Sequence, residues 1–165
     1  METRAQTIAA WMRSQVEAAG SRGIVVGLSG GIDSAVVAGL AASATPGHVL
    51  GVMLPCHSDP RDEADAQSAA EHFGIAVIRI DLAPAYDRLL LDLRSAIAHT
   101  PADQRPVLVH EEVDLKARVP VANVKPRLRM ASLYFVANSM NYLVAGTGNR
   151  SEIAIGYYTV RKSVV

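Results

Sequence analysis

Cysteine is almost absent. Cys56 is the only one in 165 residues, which excludes an intrachain disulfide framework and fits a reducing compartment. Aromatic residues make up 5%, so any core has to be assembled from Ala, Val, Leu and Ile. There is no excess charge of either sign: 16 Lys+Arg balance 16 Asp+Glu, removing the electrostatic case for a dedicated nucleic-acid or polybasic membrane binder. Long apolar runs are missing too. A stretch such as Ala35 to Ala42 falls well short of the ~20 residues a spanning helix needs. The opening stretch, with Arg13, Gln15 and Glu17, lacks a signal-peptide core. The expectation is a soluble, cytoplasmic protein. Half of the residues are nonetheless apolar, and a chain of this length can bury roughly 70% of its unfolded surface. Residues 1–165 are therefore read as a single domain.

Periodicity along the chain alternates. Ile8, Trp11, Met12, Val16 and Ala19 recur at helical spacing with Gly20 as a stop, and Trp11 is assigned to the core. Gly23 to Leu28 is short, β-branched and apolar throughout, as a strand covered on both faces would be. A helix over Ala35 to Ala42 and a strand over Val49 to Leu54 follow. Asp59 caps the next helix, with Pro60 at its first position and Gly74 at its end. Ile75 to Ile80 is a third strand, and Leu89, Leu90, Leu93 and Ile97 mark another amphipathic helix. From His99 to about Val121 the pattern weakens to a mobile loop with one short helix. Pro126 then starts a helix carrying Met130, Leu133, Tyr134, Ala137 and Met140 on one face, and Tyr142 to Ala145 is a fourth strand. Alternating strands and helices imply a parallel sheet covered on both faces, whose ligands sit beyond the carboxyl ends of the strands.

Two glycine-bearing segments fall at that edge. The first comprises Gly27, Leu28, Ser29, Gly30, Gly31, Ile32, Asp33 and Ser34, between strand and helix. Its glycines let the backbone turn so that N–H groups converge on an anion, and the following helix adds its positive end. Ser29 and Ser34 read as hydroxyl donors to phosphate oxygens. Asp33 would repel a phosphate unless a divalent cation lay between them, which points to Mg²⁺. The segment is neither GxGxxG nor a Walker A loop, and a plain glycine turn with a helix cap is the alternative. Cys56 and His57 are neighbours at a strand end and read as a small core residue beside a surface histidine. His48, His72, His99 and His110 do not form a zinc pattern. Five positive charges lie between Lys116 and Arg129. They suit an anionic substrate, or the acids just upstream.

Gly27 to Ser34 resembles the SGG-[IVM]-DS pyrophosphate loop of the N-type ATP pyrophosphatases, which cleave ATP between its α and β phosphates. The stretch from Asn123-Val-Lys-Pro-Arg-Leu-Arg-Met130 through Gly146-Thr-Gly-Asn-Arg-Ser-Glu152 to Tyr158-Thr159 resembles the ammonia-dependent NAD synthetases. The resemblance runs from about Ala5 to Thr159. It implies an α/β, Rossmann-like adenine-nucleotide α-hydrolase fold, with a parallel sheet in the order 3-2-1-4. It also implies a ligase that adenylates the carboxylate of deamido-NAD⁺ with ATP and then admits ammonia, releasing AMP and pyrophosphate. Residue by residue, it assigns Gly27 to Ser34 and Thr147 to ATP, Arg127 to the dinucleotide, and Asp33 with Glu152 to Mg²⁺ and catalysis. It further implies a homodimer through the helix near Pro126. Thr147 as a turn residue, Glu152 as a loop acid, and Arg127 with Arg129 as a solvated helix face remain the alternatives.

The chain departs from the family after Thr159. Where the pattern continues Lys-Tyr-Gly-Asp, this sequence reads Val160-Arg-Lys-Ser-Val-Val165, so the last strand and helices of the family are expected to be missing. ATP binding is expected to persist while turnover is poor. A homologue that binds ATP or a partner without making NAD is one rival reading. An ATP pyrophosphatase acting on another carboxylate or on tRNA is a second, its tRNA form disfavoured by the neutral charge.

Overall fold

A computed structural model describes residues 3–101, 103 and 115–148. In these residues a four-stranded parallel sheet runs in the order β3-β2-β1-β4. It is formed by β1 (Gly23–Leu28), β2 (Val49–Met53), β3 (Ala76–Arg79) and β4 (Tyr142–Ala145). The order and direction are those expected from the sequence. β1 is central, pairing with β2 from Ile24↔Val49 and with β4 from Gly23↔Tyr142.

Alternation along β1 separates two apolar layers. Ile24, Val26 and Leu28 pack with Met12, Val16, Ala38 and Ala41, under α1 (Arg4–Ala18), α2 (Ile32–Ala44) and α3 (Pro60–Phe73). Val25 points the other way with Leu50, Val52, Tyr86, Val136 and Ala137, under α4 (Ala83–Ala98) and α5 (Leu115–Met140). Small residues set the layer spacings. A Cβ on Gly39 of α2 would lie 2.8 Å from the Phe73 ring of α3, and one on Gly27 would lie 3.1 Å from Leu133 of α5. Both glycines let a helix approach closely.

Local signals account for the helix ends. Asp59 accepts a hydrogen bond from the Arg61 N–H at 2.9 Å, Pro60 occupies the first turn, and Gly74 closes α3 at φ +64°. Three expectations are corrected. Trp11 is 61% exposed, because α1 buries the stripe Ala9, Met12, Val16 and Trp11 lies about 100° around the helix from Met12. The last helix begins at Leu115, not Pro126, and passes through Pro120 and Pro126. Its apolar spacing does not stop at the proline: Val121, Val124 and Leu128 continue into the core. The expected face of α5 also splits. Ala137 is buried and Leu133 lies over Gly27, while Met130, Tyr134 and Met140 stay exposed. On α4, Tyr86 is buried whereas Leu89 and Leu93 are exposed. Among the described residues no helix is long and apolar enough to cross a membrane.

Candidate functional site

At the carboxyl edge of the sheet the strand ends diverge and leave a cleft of about 480 Å³. One wall is Gly27 to Ser29, running out of β1. Another is the turn after β2, with Leu54, Pro55 and Ser58, backed by Asp62 and Glu63 of α3. Ala145, Gly146 and Thr147, leaving β4, face it, and Arg129, Met130, Leu133 and Tyr134 of α5 cover one side.

The loop from β1 to α2 is held by one buried hydroxyl. Ser34 Oγ donates to the Gly31 carbonyl at 2.8 Å and accepts from both the N–H and the hydroxyl of Ser29, each at 3.2 Å. Ser29 Oγ in turn accepts the Gly31 N–H at 3.3 Å. Ser34 therefore shapes the loop. In this arrangement its hydroxyl donates to a backbone carbonyl. Gly30 sits at φ +79°, and a Cβ there would lie 2.5 Å from the Asp62 carbonyl oxygen. Only glycine joins that backbone angle to that close approach. Gly31 is the N-cap of α2 and brings no side-chain cap. This end of α2 therefore opens without a side-chain cap, and the helix dipole behind it favours an anion.

The remaining expected residues divide clearly. Thr147 lines the cleft, leaving β4 beside β1. Ile32 is 76% exposed, and Asp33 is exposed in the first turn of α2. Arg127 does not line the cleft. Its Nη1 donates to the Asn123 carbonyl at 2.9 Å, along the helix. Glu152 lies outside the described residues. Asp62 and Glu63 were not anticipated, although a helix starting at Pro60 straight after β2 had to bring its first turn to this edge. Glu63 is bound by Arg79 at 2.6 Å, and that hydrogen bond holds its carboxyl below the usual range. Cys56 is buried, which pushes its thiol up. His57 is exposed and pairs with Asp87 at 2.8 Å.

A cation fits this arrangement only with help from a ligand. Among the described residues no group of three His, Cys, Asp or Glu converges as a metal cage. Mg²⁺ is commonly held by one or two carboxylates together with phosphate oxygens and water, and Asp33 can supply such a carboxylate beside the anion-accepting turn.

The NAD synthase family model matches residues 4–161, a span that includes the loop, the cleft walls and Thr147. The chain belongs to the NAD synthase family. It is 42% identical to an NH3-dependent NAD⁺ synthetase of Carboxydothermus hydrogenoformans, over 96% of this chain and 59% of that protein. Among solved structures it resembles an NMN synthetase from Francisella tularensis (TM-score 0.77, 31% identity, 94% of this chain and 57% of that one). It also resembles an NH3-dependent NAD synthetase from Campylobacter jejuni (TM-score 0.76, 28% identity, 94% and 60%). The chain thus spans somewhat over half the length of these relatives.

Proposed function

We propose that this member of the NAD synthase family binds ATP in the cleft and forms an amide with ammonia. The observation that carries this reading is the Ser34-braced loop, with an uncapped helix N-terminus opening beside a cleft. Such a terminus suits the phosphates of a nucleotide. In the first step the carboxylate of deamido-NAD⁺ attacks the α-phosphorus, and pyrophosphate leaves with the α–β bond. In the second, ammonia attacks the acyl carbon, AMP leaves, and the nitrogen loses a proton. Gly27, Leu28, Ser29, Gly30, Gly31 and Ile32 form the phosphate cradle in this proposal, Ser34 braces it, and Thr147 meets ATP from the end of β4. Asp33 would hold Mg²⁺, with Glu152 as its second carboxylate. The ion, when bound, neutralises phosphate charge. Arg127 is assigned to the dinucleotide. A homodimer and a cytoplasmic location belong to the same proposal.

A second acyl substrate is favoured by one observation. The NMN synthetase structure is about as similar (TM-score 0.77) as the NAD synthetase structure (TM-score 0.76), so nicotinate mononucleotide is the competing carboxylate. Pyrophosphate release with ATP, Mg²⁺ and ammonia, measured with each acid, tests the reading. Ammonia-dependent amide formation from one of them is expected. ATP turnover indifferent to both acids and to ammonia would contradict it.

A further inference from the structure

One cation of the cleft has no carboxylate partner among the described residues. Arg129 of α5 lines the wall. It is held from two sides: Nε donates to the Leu54 carbonyl at 3.1 Å and Nη2 to Ser58 Oγ at 3.3 Å. Ser58 Oγ also accepts the Cys56 N–H at 3.3 Å, so the guanidinium is tied into the turn that ends β2. Two of its five N–H donors are engaged there. No carboxylate pairs with it among the described residues. The acids nearby do not offset it: Glu63 is committed to Arg79 at 2.6 Å, and Asp62 is exposed at the rim, where solvent screens its charge. Arg129 itself is half-buried, so its charge is felt inside the cleft more than outside.

We propose that Arg129 is an oxyanion receptor of the cleft, its anchored guanidinium turning its free N–H groups toward a phosphate or carboxylate of the bound ligand. The planar fork suits either oxyanion. The two anchors restrict its rotamers before the ligand arrives, which lowers the ordering cost of binding. The inference rests on the proposed nucleotide reading, and adds to it the residue that reads the anion from the α5 side. Arg127, two positions along, is turned back to its own helix.

The test begins with the unmodified protein. Reaction of arginines with phenylglyoxal is followed by mass mapping, with MgATP, with deamido-NAD⁺ and with neither. Exposed Arg61, outside the cleft, serves as the internal control. Arg129 is expected to react roughly tenfold more slowly with at least one ligand, while Arg61 is unchanged. Protection by MgATP identifies the triphosphate as the oxyanion, and protection by deamido-NAD⁺ alone identifies the acyl substrate. Titration calorimetry of Arg129→Gln should then show roughly 10- to 100-fold weaker binding of that ligand, as loss of a charged hydrogen bond implies. Arg129→Lys should recover part of the loss. Binding of both ligands without protection of Arg129, or an Arg129 that never reacts, overturns this inference and leaves the nucleotide reading standing. Binding of neither ligand overturns both.

Discussion

Ser34 shows how a residue can be found by sequence while its bonding within the loop is not. The order of residues placed it in an anion-binding loop, but the direction of its hydroxyl depends on how the loop closes. It closes inward, leaving Ser34 with three bonds to Ser29 and Gly31. Ser34→Ala leaves the Ser29 N–H and Gly31 carbonyl without that partner. It should lower stability by about 1–3 kcal/mol, read from urea unfolding, and weaken MgATP binding in parallel. Glycine chemistry was easier to read because it depends on backbone alone. Gly30 and Gly74 both have positive φ, yet only Gly30 has a neighbour, the Asp62 carbonyl, where its Cβ would go. Gly74→Ala should cost about 1 kcal/mol of left-handed strain, and Gly30→Ala distinctly more. Equal costs would show that the close approach to α3 is not maintained in solution. Arg129 was seen in the sequence only as part of a basic run, since nothing local tells which of two arginines faces the sheet edge.

Helix α3 is the element whose limits were fully legible, because a cap, a proline and a terminal glycine act locally. Its N-cap also gives a pH signature. The Arg61 side-chain hydrogen bond, with the Arg61 backbone N–H, holds Asp59 below the usual aspartate range. A carboxylate depressed on folding contributes stability above its unfolded pKa and loses that contribution as pH falls through the folded value. Asp59→Ala should therefore unfold at lower urea than the parent at pH 7. The gap should hold down to about pH 4 and close below it. A gap that does not change with pH would assign the cap to the hydrogen bond alone and not to charge. Helix α5 was the least legible element. Two prolines imitate starts and stops, and only the packing of its Val121 and Val124 against the core shows that tertiary contacts override them. Trp11 failed for a related reason: helical spacing allows two neighbouring stripes, and the sheet chooses one.

Alternation of strands and helices implied a parallel sheet, and the family resemblance implied its order, which the sheet shows with β1 and the loop at its head at the centre. What covers the outer face of α5 is a different matter. Phe135 is 74% exposed, while Met130 and Tyr134 line the cleft, and an exposed aromatic ring of this size suits a contact surface. In the proposed homodimer, light scattering should give twice the 17.5 kDa chain mass at tens of micromolar. Phe135→Glu should shift that mass toward the monomer without lowering its stability; a monomeric parent would refute the dimer. The central claim is that the Gly27–Ser34 loop binds ATP together with Mg²⁺. Titration calorimetry with ATP, in Mg²⁺ and in EDTA, on the parent and on Asp33→Ala tests it most directly. The account predicts Mg²⁺-dependent binding that Asp33→Ala weakens by about tenfold or more, the equivalent of ~1.4 kcal/mol or more. ATP binding of equal strength in both proteins, indifferent to Mg²⁺, would contradict it.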